Sequence, residues 1–196
     1  MLAYHNNDPE LISGHAYVFF RNLEEAVAML KNTDCRIACV DLGGFDTHQN
    51  QLPVHKQLLK ILALGLDSIY QDMLNVPNID FLSLTMSEFG RTNRVNGSNG
   101  TDHGVGGAMI ATGSLVKPGV YNCARLPSLQ FGAAWTPLGA NNPSPYEDAV
   151  VVQTHFQTVL AELSQDWFGL SVPDTDIVVP GFSGQTGRLY RFLDFV

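Results

Sequence analysis

The stretch SEFGRTNRVNGSNGTDHGVGG, residues 87–107, decides how this chain is organised. It follows an apolar run, residues 79–86, that predicts a buried strand. Its six glycines and three asparagines allow turns with positive φ and let backbone N–H groups converge on an anion. Asp102 and His103 lie side by side in it, and both residue types are common ligands of divalent metals. We therefore expect a loop that fixes polar groups in place, with an ordinary surface turn as the simpler alternative.

A second loop upstream has a similar make-up. The apolar run of residues 35–41 leads into LGGFDTHQNQ, residues 42–51, which contains Asp46 and His48. This run is typical of a strand that is buried on both faces of a parallel sheet. In open α/β sheets, ligands bind outside the carboxyl ends of the strands. The two loops are therefore expected to meet at one edge of a sheet.

Composition limits the class of protein. A chain of 196 residues with 45% hydrophobic content predicts one compact domain over residues 1–196. Eleven basic against nineteen acidic residues give a net charge of −8, which argues against a nucleic-acid partner. No run reaches the roughly 20 apolar residues that cross a bilayer, so we predict no membrane span. The sequence indicates no oligomeric state.

The cysteines do not form a disulfide framework. There are three of them, and Cys35 and Cys39 lie roughly 13 Å apart on the predicted strand, which is too far for a bridge. We expect both to be unpaired residues of the core.

Helical and strand patterns alternate along the rest of the chain. Asn22 and Glu25 form a capping box that predicts a helix over residues 22–32. Further predicted elements are a long apolar helix at residues 53–74, strands at 79–86 and within 106–112, and a helix at 145–169. Residues 1–21 are expected to be irregular, and residues 170–196 an extended tail. The order favours an α/β fold with a parallel or mixed sheet flanked by helices.

Two Asp/His pairs are the candidate metal ligands. Asp46 and His48 are two residues apart, so in an extended backbone they point the same way with roughly 6.6 Å between their Cα atoms. Asp102 and His103 would diverge in a regular strand, but the neighbouring glycines permit a kink. If the loops converge, atoms of the two pairs should lie within roughly 5 to 8 Å of each other, at a site for one ion or two.

Two further charged residues are candidates for substrate binding or catalysis. Arg91 offers a planar fork for phosphate, sulfate or carboxylate, and Glu88 offers a metal ligand or a base. A structural ion pair between the two is the alternative. Arg94 is expected on the surface. His55, in the first turn of the long helix, is expected to be exposed, with a role as a neutral ligand as the alternative.

Nucleophile and nucleotide motifs do not occur in this sequence. There is no Gly-x-Ser-x-Gly elbow, no Walker loop and no dinucleotide fingerprint, so no organic cofactor is predicted. Ser87 or Ser98 paired with His103 or His48 stays open as a nucleophile.

Three motifs together resemble a known family. LGGFDTHQNQ at residues 42–51, MSEFGRT at residues 86–92 and the segment from Asn96 to Gly104 are similar to the bacterial domain-of-unknown-function family 1501. The similarity runs over residues 35–113, and the end of the helix at Trp167 also resembles that family. The family is grouped with the alkaline phosphatase and sulfatase superfamily.

The resemblance implies a parallel-sheet α/β fold with divalent metals, Zn, Mn, Ca or Mg, at the strand ends. Asp46 and His48 would belong to one metal position, and Asp102 and His103 to another, with Glu88 as an alternative to Asp102. Family members are longer and carry an export signal, so the chain is expected to be a C-terminal portion of a truncated alkaline phosphatase-like fold from a bacterial exported or periplasmic protein.

The function that follows is metal-dependent hydrolysis of ester bonds. Small anionic esters, phosphate or sulfate monoesters, are the expected substrates, with Arg91 binding the ester oxygens and Glu88 assisting as ligand or base. Two alternatives remain: a non-catalytic fragment or binding module of the same fold, and a promiscuous carboxylesterase.

Overall fold

The computed structural model describes residues 14–122, 152–187 and 190–196. Helices and short antiparallel sheets give a mixed α/β fold. The chain divides into two compact units, which are described separately. The first unit contains Met1–Thr85, Arg94–Asp102 and Ile110–Ser114, and the second contains Met86–Asn93, His103–Met109 and Leu115–Val196. The prediction of one domain over residues 1–196 stays a prediction.

The first helix of the first unit, α1, spans Gly14–Asn32. The prediction that it starts at Asn22 and that the preceding residues are irregular is wrong for residues 14–21; residues 1–13 lie outside the described part. The reason is a helical period that begins before the capping box. Side chains at i, i+3, i+4 and i+7 spacing form one buried face. They are Ala16, Phe19, Phe20, Leu23 and Val27.

The second helix, α2, spans Gln51–Met73 and confirms the long apolar helix. Its buried residues include Leu58 and Ile61, and Ile61 packs with the buried face of α1. Gly65 lies at the contact: a methyl group built there would be 2.7 Å from Phe19 Cε1 and 3.0 Å from Leu23 Cδ1. A larger residue at this position would therefore force the Phe19 ring or the Leu23 side chain to shift.

The predicted strand at residues 36–40 is wrong. These residues adopt no regular structure, and Ile37 is 67% exposed. A strand needs a partner for its backbone N–H and C=O groups, and no described strand pairs with this segment. Cys35 and Cys39 are unpaired, as expected, but Cys39 is exposed and Cys35 is only half-buried. Neither is a core residue.

Strand β1, Leu82–Leu84, lies within the predicted strand at residues 79–86, and strand β4, Ala111–Gly113, overlaps the one predicted within 106–112. They pair antiparallel, with Leu82 opposite Gly113, and the hydroxyls of Ser83 and Thr112 lie 2.6 Å apart across the pair. The parallel sheet is not found among the described residues. Parallel neighbours need a long crossover, usually a helix, and the chain between these two strands contains none.

The second unit has a two-residue ladder and a helical C-terminal part. Strand β2, Gly90–Arg91, pairs antiparallel with β3, His103–Gly104. The later elements are the helix α3, Phe156–Glu162, which continues as a π-helix over Leu163–Trp167, the helix α4, Val172–Val178, and a 3₁₀ turn, Phe182–Gly184.

Two helix predictions in this unit need correction. The helix expected at residues 145–169 begins only at Phe156; residues 152–155 are not helical, and residues 145–151 lie outside the described part. The tail expected to be extended contains α4. A local signal explains this helix: the Ser171 hydroxyl accepts a hydrogen bond from the backbone N–H of Asp174 at 3.3 Å, and Pro173 lies in the first turn.

Glu162 ties the C-terminal segment to α3. Its side chain is fully buried, and its two carboxylate oxygens accept the backbone N–H groups of Leu193 at 2.6 Å and Phe195 at 2.7 Å. Lys117 donates its own backbone N–H to the Phe195 carbonyl at 2.8 Å. Burial raises the pKa of Glu162 and outweighs the two N–H bonds, which lower it. A buried carboxylate thus holds the end of the chain.

The Glu162 carboxyl should make stability depend on pH. Its ordinary pKa is 4.5 and its folded pKa is higher, so the folded state binds the proton more tightly than the unfolded state. The contribution is complete below pH 4.5 and is lost as pH rises through the folded pKa. Denaturant unfolding from pH 4.5 to neutral should show this fall in the wild type and lose it in Glu162→Gln. The control Glu25→Gln, at an exposed glutamate, should keep it; an unchanged slope in Glu162→Gln would contradict the assignment.

The close packing at Gly65 gives a second test. Helix propensity alone favours Gly65→Val by a few tenths of a kcal/mol and disfavours Ala63→Val by about 0.6 kcal/mol. Packing reverses that order, because Ala63 is exposed and Gly65 faces Phe19. Gly65→Val should lower the free energy of unfolding by about 1–3 kcal/mol, more than Ala63→Val does, in denaturant titrations. If Gly65→Val is the more stable variant, the helices are not in contact there.

Candidate metal centre

Three of the predicted ligands meet in the first unit. The His48 ring lies between two carboxylates, with Nε2 at 3.0 Å from Asp46 Oδ1 and Nδ1 at 3.1 Å from Asp102 Oδ1. The expected approach of the two loops is therefore confirmed for His48 and Asp102, whose contact at 3.1 Å is shorter than the 5 to 8 Å predicted. Their role as metal ligands stays a prediction.

Backbone contacts hold the two loops together. The N–H groups of Asn50 and Gln51 bond the carbonyls of Ser98 and Asn99 at 3.1 and 2.9 Å. Thr101 N–H bonds the Thr47 carbonyl at 3.3 Å. The loops thus run against each other as an irregular antiparallel pair, with a bridge between residues 49 and 99. This pairing replaces the expected shared edge of a parallel sheet.

Gly100 makes the contact possible. A methyl group built on it would lie 2.1 Å from the carbonyl carbon of His48 and 2.3 Å from its oxygen. These are backbone atoms, so no side-chain rotation can relieve the overlap. Any other residue at this position must push the second loop away from His48.

Two half-buried side chains at the start of α2 form hydrogen bonds with the two loops. Gln51 Nε2 donates to Thr101 Oγ1 at 3.0 Å, and His55 Nε2 lies 3.2 Å from the Phe45 carbonyl, directly before Asp46. His55 is half-buried and makes an edge contact with the Phe45 ring, at 5.6 Å between centroids. The expectation that His55 is exposed is therefore wrong, because the loop folds back over the first turn of α2.

Asn96 is a residue of the site that sequence reasoning passed over. Its side chain is half-buried and bonds the His48 carbonyl at 3.0 Å and Asp102 Oδ1 at 3.2 Å. The only sequence signal was the Asn-Gly dipeptide, which predicts a turn but not a contact with a distant loop.

The two carboxylates and the imidazole are exposed to solvent. The side chains of Asp46, His48 and Asp102 are 52%, 48% and 62% exposed. Ion pairs this exposed stabilise a fold by no more than about 1 kcal/mol, so stability does not explain their arrangement. Both His48 nitrogens can donate only in the imidazolium form, whereas a metal ligand must be neutral. A cation bound at one nitrogen would therefore replace one of the two contacts.

The other candidate residues belong to the second unit. Arg91 and His103 are opposite each other in the β2–β3 ladder. The His103 ring stacks on Phe89 with 3.9 Å between centroids, and Arg91 Cζ lies 5.5 Å from the same ring, within cation–π range. Glu88 is exposed. These contacts fix the orientation of His103 and Arg91, while the roles predicted for Arg91, Glu88 and His103 stay predictions.

Two remaining expectations concern polar side chains outside these contacts. Arg94 is exposed, as expected. Ser87, one of the open nucleophile candidates, donates its hydroxyl to the Phe89 carbonyl at 3.0 Å. Ser98 donates its backbone N–H to Asn96 Oδ1 at 2.9 Å. Neither bond joins a serine to a histidine, so a serine nucleophile stays a prediction.

Comparison with known families bears on this region directly. A family model described as "Protein of unknown function (DUF1501)" matches residues 26–126, just over half of the chain. The chain belongs to this family. The DUF1501 match includes both loops of the site and the β2–β3 ladder. No curated protein and no solved structure matches the chain. In the described part of the chain, no helix combines the length and the apolar character that crossing a bilayer requires.

The backbone contact at Gly100 predicts a sharp difference within one DUF1501 loop. Gly100→Ala should lower the free energy of unfolding by about 1–3 kcal/mol, because the methyl group overlaps the His48 backbone. Gly97→Ala is the matched control, since nothing lies within 4 Å of the position of its added methyl group. It should change stability by no more than about 0.5 kcal/mol. Denaturant titration measures both, and equal losses in the two variants would show that the loops are not in contact.

Proposed function

We propose that this DUF1501 member is a metal-dependent hydrolase of ester bonds, with phosphate or sulfate monoesters as its substrates. The observation that carries the proposal is the placement of His48 between Asp46 and Asp102, at 3.0 and 3.1 Å. One carboxylate lies within hydrogen-bond distance of each nitrogen of the exposed His48 ring, on two loops that backbone hydrogen bonds and a glycine contact hold together.

The residues fit a divalent cation on the chemistry of their donors. Each ring nitrogen of His48 forms a mixed O/N pair with one carboxylate, which suits Zn or Mn better than Ca or Mg, since these prefer oxygen alone. Asp102 would bind an ion held at His48 Nδ1, and Asp46 would keep its contact with Nε2. A divalent ion held there would polarise an ester oxygen and lower the pKa of a water molecule. The exposure of all three side chains leaves room for water and an ester.

For residues of the second unit, the proposal rests on the sequence predictions alone. Arg91 carries the predicted role of binding the ester oxygens through its planar guanidinium, and Glu88 that of a ligand or base. His103 carries the predicted role of a further ligand. The metal proposal does not depend on these three residues.

The proposal also includes the finer family relationship. The motifs at residues 42–51, 86–92 and 96–104 support a kinship with the alkaline phosphatase and sulfatase superfamily. The resemblance further supports a chain that is the C-terminal portion of a longer bacterial exported protein.

Metal content and ester turnover test the proposal on one preparation. After dialysis and addition of Zn²⁺ or Mn²⁺, the protein should bind the ion and hydrolyse an aryl phosphate or sulfate, and a chelator should abolish turnover. His48→Ala and Asp102→Asn should each weaken metal affinity by at least about 100-fold, beyond what loss of an outer-shell partner does. Asp67→Asn, at an exposed carboxylate on α2, is the control and should behave as wild type.

Each outcome of this assay has a separate meaning. Absence of bound metal, or turnover that resists the chelator, overturns the metal mechanism. Bound metal without turnover of any ester favours the binding module. Turnover of an aryl acetate alone favours the carboxylesterase.

A further inference from the structure

Asn96 joins the two loops through both ends of its side-chain amide. At the donor end, Nδ2 donates to the His48 carbonyl at 3.0 Å and to Asp102 Oδ1 at 3.2 Å. At the acceptor end, Oδ1 accepts the backbone N–H groups of Ser98 at 2.9 Å and Gly100 at 3.0 Å. A carboxamide has two N–H groups and two acceptor positions, and Asn96 uses all four.

The acceptor end builds the turn. The two bonds to Oδ1, with the bond from Asn96 N–H to the Gly100 carbonyl at 2.8 Å, close residues 96–100 into a compact loop. Side chains with one acceptor oxygen, such as serine, make turns of this kind without an amide. The turn therefore needs the oxygen of Asn96 but not its nitrogen.

The donor end acts on the proposed ligands. Asp102 Oδ1 is the oxygen that also faces His48 Nδ1, so the amide fixes the carboxylate in the rotamer that meets the imidazole. The bond to the His48 carbonyl fixes the backbone from which that imidazole extends.

We propose that Asn96 is a positioning residue of the metal centre: its amide nitrogen sets Asp102 and His48 at ligand distance before a cation arrives. This inference rests on the proposed function. Outer-shell hydrogen bonds of this type orient ligands, and their loss typically weakens metal affinity about 10–100-fold. Asn96 would therefore act on affinity through preorganisation, without touching the ion.

The substitution Asn96→Ser removes the bonds of the donor end and keeps one of the two bonds of the acceptor end, the one from the Ser98 N–H. A serine hydroxyl can still accept from the N–H group two residues on, but it is too short to reach Asp102 from the same backbone position. The control is Asn99→Gly in the same loop. Asn99 is exposed and has φ 57°, which glycine adopts readily, so the backbone is preserved.

Calorimetric titration of the metal-free proteins with Zn²⁺ and Co²⁺ measures the effect. We expect Asn96→Ser to weaken both affinities about 10–100-fold and Asn99→Gly to leave them unchanged. The visible absorption bands of bound Co²⁺ should shift in Asn96→Ser alone, because the ligand geometry changes. A purely structural role would lower the melting temperature of the metal-free protein and leave the Co²⁺ spectrum as in wild type.

The failures of the two proposals are distinguishable. If wild type binds neither ion, the proposed function is wrong and this inference is overturned with it. If wild type binds and Asn96→Ser binds equally well, only the inference is overturned. Should Asn96→Ser not fold, the side-chain amide signals of ¹⁵N-labelled wild type decide. The Asn96 signals should shift on addition of Zn²⁺ more than those of Asn99, and an unshifted Asn96 amide overturns the proposal.

Discussion

The approach of Gly100 to the His48 carbonyl is the constraint on which the candidate site depends. Side chains as exposed as Asp46, His48 and Asp102 cannot hold one another in place, because water competes for each charge. Their positions come instead from backbone bonds between the loops, and those bonds require that Gly100, which faces the His48 backbone, carries no side chain. The chemistry lies on the surface, but its geometry is set by a glycine that is buried.

The first turns of α2 connect the core of the first unit to this site. Gln51 is the first residue of that helix, and its N–H bonds the Asn99 carbonyl, so one hydrogen bond connects the helix to the second loop. A methyl group built on Gly44 would lie 3.4 Å from Leu58 Cδ1, so Leu58 packs against this part of the loop. His55 bonds the Phe45 carbonyl. The loop that carries Asp46 is thereby fixed against a helix that the packing of Phe19 and Ile61 holds rigid.

The second unit contains a carboxylate that is buried rather than exposed. Glu162 has no exposure to solvent, and two backbone N–H groups bond its oxygens, which is the usual condition for burying such a group. The exposed acids of the first unit are free of that desolvation cost and can meet a cation from solvent. The buried Glu162 therefore has a structural role, whereas the exposed acids of the first unit are suited to binding a cation.

The sequence by itself determined the features that depend on neighbouring residues. The apolar period gave α2, the same kind of period was present for α1 from Ala16 onward, and the Gly- and Asn-rich composition gave two polar loops with Asp46, His48 and Asp102. Tertiary structure alone decided what depends on a distant partner. Residues 36–40 have the composition of a strand but no ladder to join, and β1 and β4 pair antiparallel because no helix carries the chain across between them. The bond from Asn96 to His48 joins residues 48 positions apart, and no local pattern encodes a contact that exists only after the chain has folded.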